Sequence, residues 1–300
     1  GDLIMRKVLL ATTALVAMSV TAAQADISIS STAEVGFVTS DANGDSSWTD
    51  GNVTITGSMT TDSGLDVSAV KNMAIQHDSG FANDDGITED AYIHISGEFG
   101  NIRMGQTDLA GDRMDGVLGK NKDVYTIGAT NAASSYMGTD LQDNTADTAI
   151  SFVSPSMSGL TVYGAAVPDG QTQMGVNFSL GGISAMVQSQ SESSKGDEVS
   201  VGIGFTVAGL SLNMGKKEED LDGVKIDSSD FNVGYTLNEV TKMSVLMQEG
   251  KDTDGRKDTM TGIEVAYDVA PGMTIYVGYE STEVDSAKDN GMGAVLSVSF

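Results

Sequence analysis

The chain has no cysteine and only three prolines in 300 residues. Without cysteine it forms no disulfide and no thiolate metal site. Proline scarcity matters beside 36 glycines, because a glycine-, serine- and aspartate-rich disordered chain normally carries more of it. Basic residues are few: 16 Lys and Arg stand against 42 Asp and Glu, for a net charge of -26. That balance argues against a nucleic-acid partner, whose phosphates need lysine and arginine. Aromatics make up 6% of the chain and histidines number two, His77 and His94. Beyond residue 25 no segment approaches the roughly 20 apolar residues of a membrane-spanning helix.

What is present begins with a targeting segment. The stretch "MRKVLLATTALVAMSVTAAQA" has Arg6 and Lys7, an apolar run from Val8 to Val20, and Ala23-Gln24-Ala25. A basic start, a short apolar core and an A-x-A site describe a signal peptide over 5–25, so the mature chain is expected to begin at Asp26. Residues 1–4 read as an upstream extension.

Most of residues 26–300 alternates with period two. "VSVGIGFTV" puts Val199, Val201, Ile203, Phe205 and Val207 on one face, and Ser200, Gly202, Gly204 and Thr206 on the other. "MGVNFSL", "LSLNM", "FNVGYTL", "GIEVAYDV" and "MTIYVGYES" repeat it, which is the mark of strands. Sixteen such segments follow one another. Their connections alternate between short and long. The short ones include "FGN" (99–101), "GG" (181–182), "AG" (208–209) and "APG" (270–272). The long ones fall at 40–50, 77–90, 107–147, 191–197, 217–229, 249–259 and 281–290, with "PDG" (168–170) a shorter member. Such alternation describes an up-and-down meander with a tight rim and a thick one. Acidic residues concentrate in the long connections.

Sixteen antiparallel strands in an open sheet would twist badly and expose two edges. Closure into a barrel removes the edges. A barrel that wide does not fill its interior with side chains. One face therefore meets water inside and the other meets something apolar outside. Gly, Ser, Thr and Asn suit a wet lumen; Val, Ile, Leu, Met and Phe suit lipid. The predicted fold is all-β: a 16-stranded antiparallel transmembrane β-barrel with strands of about 9–11 residues. Phe178, Phe205, Tyr235, Tyr267 and Phe300 fall on the apolar face near the tight rim, as an interfacial girdle would. The last stretch, "GMGAVLSVSF", has to pair with the first, "DISISSTAEVGF", to close the sheet.

Three stretches resemble the general diffusion porins of Gram-negative bacteria. "SGEFGNIRMGQTD" (96–108) is similar to the hairpin leading into a porin's third loop. "DTAISFVSPSMSGLTVYGAAV" (147–167) is similar to the strand pair after it, and "LSVSF" to the porin ending. The resemblance implies an in-folded third loop, here about 107–147, acting as a constriction. It implies passive diffusion of ions and small hydrophilic solutes, and a homotrimer. It further implies residence in the outer membrane among lipid and lipopolysaccharide, and recognition of Phe300 by the barrel assembly machinery. Two departures stand out. The arginine cluster common opposite the loop is reduced to Arg103 and Lys71, and the Pro-Glu-Phe-Gly-like loop tip is missing.

Alternation places Arg103 on the lumen face of its strand, between outward Ile102 and Met104, and Tyr92 and His94 on the lumen face of the preceding strand. Arg103 is either a wall residue of the constriction or a solvated lumen charge. The segment 107–147 adds Asp108, Asp112, Asp115 and Asp123 against Arg113 and Lys120. Acidic rings near a constriction favour cations, so weak cation selectivity is expected. No resident cofactor is expected. "DANGD" (41–45), "DLDG" (220–223) and "DTDGRKD" (252–258) have the oxygen-rich look of calcium loops, but lack the full EF-hand pattern. Catalysis finds no activated serine beside either histidine, and glycine alternations such as "VGIGF" are strand glycines, not phosphate cradles. The rival readings are a secreted β-rich adhesin or surface-layer protein with calcium-binding loops, and an outer-membrane enzyme dependent on His94 or His77.

Overall fold

The computed structural model describes residues 25–41, 44–78, 91–107, 109–110, 146–168, 170–192, 196–221, 223–253, 255–284 and 286–300. These residues form sixteen strands: β1 (Asp26–Ser40), β2 (Gly44–Thr60), β3 (Asp66–Asp78), β4 (Ala91–Gly97), β5 (Gly100–Thr107), β6 (Ala146–Val153), β7 (Leu160–Ala166), β8 (Thr172–Leu180), β9 (Ile183–Glu192), β10 (Gly196–Val207), β11 (Leu210–Leu221), β12 (Val224–Asn238), β13 (Thr241–Asp252), β14 (Lys257–Ala270), β15 (Met273–Val284) and β16 (Ala287–Ser299). Each strand pairs antiparallel with its sequence neighbours, and β1 pairs with β16, so the sheet closes into one barrel. At the seam Val35 pairs with Leu296 and Phe37 with Ala294. The Phe300 N–H donates to the Ser31 carbonyl at 2.9 Å, and the Ser31 N–H returns the bond at 3.2 Å.

The two faces separate as the alternation predicts. In β10, Val199, Val201, Ile203, Phe205 and Val207 are all exposed on the outer surface, whereas Ser200 and Gly204 are buried on the inner one. This reverses the arrangement of a water-soluble protein, where such a row of aliphatic side chains would be covered. The five expected girdle aromatics share this outer face. Phe205, Tyr235, Tyr267 and Phe300 are exposed there, and Phe178 is half-buried.

The tight connections lie where expected. Gly181 and Gly182 join β8 to β9 with φ of 62° and 82°, the positive pair of a type I′ hairpin turn, which matches the twist of the flanking strands. The other rim differs from expectation. Much of what reads as long loop is paired strand: β11 continues to Leu221 and β12 resumes at Val224, with Lys216 opposite Ser229, Glu218 opposite Asp227 and Asp220 opposite Lys225. Strands here reach 17 residues in β2 and 15 in β12. The physical reason is that above the lipid both faces meet water, and backbone pairing needs no apolar side chains. His77, expected in a loop, sits in β3 opposite Asp50.

Candidate functional site

The lumen is built from the inward half of every strand. On β4 and β5, His94 pairs with Arg103, while neighbouring Ile93 pairs with Met104. Ile93 and Met104 are exposed outside, so Tyr92, His94 and Arg103 point inward, as predicted. They touch each other there. The Arg103 guanidinium lies over the Tyr92 ring, 4.7 Å from its centroid, and Arg103 Nε donates to His94 Nδ1 at 3.4 Å. A guanidinium stacked on an aromatic face gains about 0.5–1 kcal/mol at an accessible site, and the stack holds the positive charge against the β4–β5 wall of the lumen. Lys71, the second expected wall base, is on the outer face instead. It pairs with Ile55 on one side and Ala91 on the other, in the row that carries exposed Ile55 and Ile93.

The connection after β5 begins by turning inward. Leu109 packs with Ala149 and Val167, and Ala110 with Val153 and Tyr163. These wall residues lie on the opposite face from exposed Ile150, Phe152 and Val162, which makes them lumen residues. Asp108, Asp112, Arg113, Asp115, Lys120 and Asp123 lie outside the described residues.

The opposite arc, β10–β15, carries a charge pattern that no single stretch of sequence reveals. Glu198, Glu219, Asp230, Asp258, Glu264 and Glu280 are all buried on the lumen side. Lys217 is the one buried base beside them among the described residues; its Nζ meets Glu219 Oε1 at 3.0 Å. On β7–β9 the lining carries amide and hydroxyl pairs: the Tyr163 hydroxyl donates to Gln188 Oε1 at 2.9 Å, and Gln173 Nε2 to Gln190 Oε1 at 3.2 Å. The lumen is also less uniformly polar than expected. Trp48 and Tyr276 pack against buried Val38 and Val295, and the Trp48 ring crosses Gly36, where a Cβ would stand 2.3 Å from Trp48 Cε2. The signal for all of these was present in the phase of alternation, once one outward residue per strand is known.

Two of the acidic loop motifs act locally, while Asp41 of the third accepts from Asn290 Nδ2 at 2.8 Å. Asp220 Oδ1 accepts the Gly223 N–H at 3.2 Å, and Asp252 Oδ1 accepts the Arg256 N–H at 2.9 Å. Both carboxylates thus close the turn they sit in. Among the described residues no three His, Asp or Glu side chains converge as metal ligands.

A family model described as Gram-negative porin matches residues 11–287. The chain belongs to the Gram-negative porin family. Solved porin structures share its barrel. A loop-deletion mutant of OmpT, an outer membrane protein of Vibrio cholerae, superposes with a TM-score of 0.75 at 14% identity, over 92% of this chain and 99% of that one. An anion-selective porin from Comamonas acidovorans gives 0.72 at 13%, over 92% and 100%. A mutant of the Rh. blastica porin gives 0.68 at 16%, over 92% and 100%. No curated protein matches significantly in sequence. The porin is therefore an outer-membrane barrel whose exposed aliphatic rows face hydrocarbon. Among its described residues no helix is long and apolar enough to span a membrane, and strands cross instead.

Proposed function

We propose that this porin is a passive channel for ions and small hydrophilic solutes, with a preference for cations, narrowed by its 107–147 segment. The observation that carries the preference is the set of six buried carboxylates on β10–β15, of which Glu219 and Asp258 meet a base, Lys217 and Arg256 respectively. Fixed charges of one sign in a confined lumen concentrate the opposite ion. The anion-selective Comamonas porin shares the fold at too low an identity for its lining to transfer, so the argument rests on this chain's own residues. The inward packing of Leu109 and Ala110 supports a constriction that starts against the β6–β7 wall. Arg103, across the barrel, sets a positive wall opposite the acidic one. The outer surface suits lipid and lipopolysaccharide, and the channel is a homotrimer in this reading, an OmpT structure being described as a trimer form. Phe300 serves as the residue read by the assembly machinery.

Reversal potentials across a planar bilayer in a potassium chloride gradient test this directly. Cation preference is expected, and replacing Glu264 and Glu280 together by glutamine should shrink it. Anion preference in the unmodified channel would overturn the reading.

A further inference from the structure

Between β11 and β14, in the half of the lumen nearer the short connections, the wall encloses a polar niche of about 220 Å³. Ser211 and Asn213 come from β11, Asn232 from β12, Lys242 and Ser244 from β13, and Glu264 from β14. Gly234 keeps the niche open, because a Cβ there would come within 2.4 Å of Ser211 Oγ. At about 30 Å³ per water in the liquid, the space suits several waters or one small polar solute.

Two donors in this niche lack partners. Lys242 makes no ion pair or hydrogen bond among the described residues. Asn232 is only 5% exposed, yet its Nδ2 finds no hydrogen-bond acceptor among the described residues. A buried N–H without an acceptor is costly to maintain. Lys242 pairs with Thr236 and Asn232 with Leu246, so the two donors flank the Gly234–Ser244 pair from opposite ends and offer a carboxylate lying over it one charge and one N–H. A simple anion is nevertheless a poor occupant, because Asp230, Glu264 and Glu280 occupy the same arc of wall. A simple cation would have to sit beside Lys242. A molecule carrying both charges meets neither objection. Lys242 pairs with Ala266 while Ser244 pairs with Glu264, so Lys242 and Glu264 are diagonal neighbours on one face, roughly 7–8 Å apart at the backbone. Their charged ends are within reach of one small molecule.

We propose that this niche is a binding subsite for a small amino-acid zwitterion in transit. Its carboxylate accepts hydrogen bonds from Lys242 and Asn232, and its ammonium group faces Glu264. The proposal rests on the channel reading above and deepens it. It turns a sieve into a channel that retains one class of solute briefly and saturably.

The test uses the whole protein in a planar bilayer, with L-serine as the probe and acetate, methylammonium and glycerol as controls. Serine should cause a saturable, reversible fall in open-channel current that the three controls do not match. Lys242→Gln and Asn232→Ala should each raise the half-saturating serine concentration about tenfold or more, with potassium chloride conductance kept within about twofold. Should a variant fail to assemble, saturation-transfer NMR of serine on the unmodified, detergent-solubilised barrel reports binding directly. An intact channel indifferent to serine, or a serine effect unchanged in both variants, overturns the niche assignment alone. A bilayer without any channel overturns the conduction reading and the niche with it.

Discussion

Replacing Ile203 by arginine tests which face of the barrel meets hydrocarbon. Ile203 stands at the middle of the outward row Val199, Val201, Ile203, Phe205 and Val207, with 55% of its surface exposed, and its cross-strand neighbour Met214 is exposed to the same degree. An arginine there would put a guanidinium near the middle of the apolar band. The cost on a lipid face is about 2–4 kcal/mol at the midplane and falls to about 0–1 kcal/mol near the interface. At 1.4 kcal/mol per factor of ten, the folded-to-unfolded ratio should drop roughly 30- to 700-fold. Val207→Arg, beside the Ala208-Gly209 turn on the same face, should cost about 0–1 kcal/mol. Thr206→Arg, on the lumen face, should be similarly mild, because water solvates it. The assay is reversible urea unfolding in lipid vesicles, followed by the fluorescence of Trp48, the only tryptophan in the chain. An Ile203→Arg cost below about 1 kcal/mol, or an equal cost at Val207 or Thr206, would refute the assignment of faces.

Three further outcomes are expected. Gly36→Val should push the Trp48 ring from its place, since even a Cβ meets it at 2.3 Å; overpacking of this kind costs about 1–3 kcal/mol, and unchanged tryptophan emission would contradict it. Arg103→Gln removes the charge stacked on Tyr92 and should move the reversal potential further toward cation preference; no shift would make Arg103 a solvated charge away from the narrowest point. Phe300→Ala should lower the amount of barrel in the outer membrane of cells much more than it lowers refolding into vesicles in vitro, and equal losses in both would deny it a role in assembly.

The sequence by itself was enough for whatever depends on the local alternation of a strand. Sixteen period-two segments, the tight turns at 181–182 and 208–209, the outward row in β10, and the inward placing of Tyr92, His94 and Arg103 are all readable residue by residue. A side chain's face follows from its neighbours one position away. Closure of "GMGAVLSVSF" on "DISISSTAEVGF" was legible too, because an unpaired edge in lipid leaves backbone groups without partners. The same reasoning stretched too far at the thick rim. There, charged sequence looked like loop, although pairing persists wherever water covers both faces, as at Glu218 and Asp227. Lys71 reads as a wall base from sequence, and only its register against Ile55 and Ala91 puts it outside.

Everything that depends on which strands lie side by side, and at what height, was decided by the tertiary structure. Glu198 and Glu280 are distant in sequence and join one acidic arc. Trp48 lies across Gly36 because β1 and β2 pair in that register, and Lys242 comes diagonal to Glu264 because β13 and β14 pair in theirs. Alternation says only in or out. Register sets the height of each inward side chain, and closure of the barrel sets which of them share the same water.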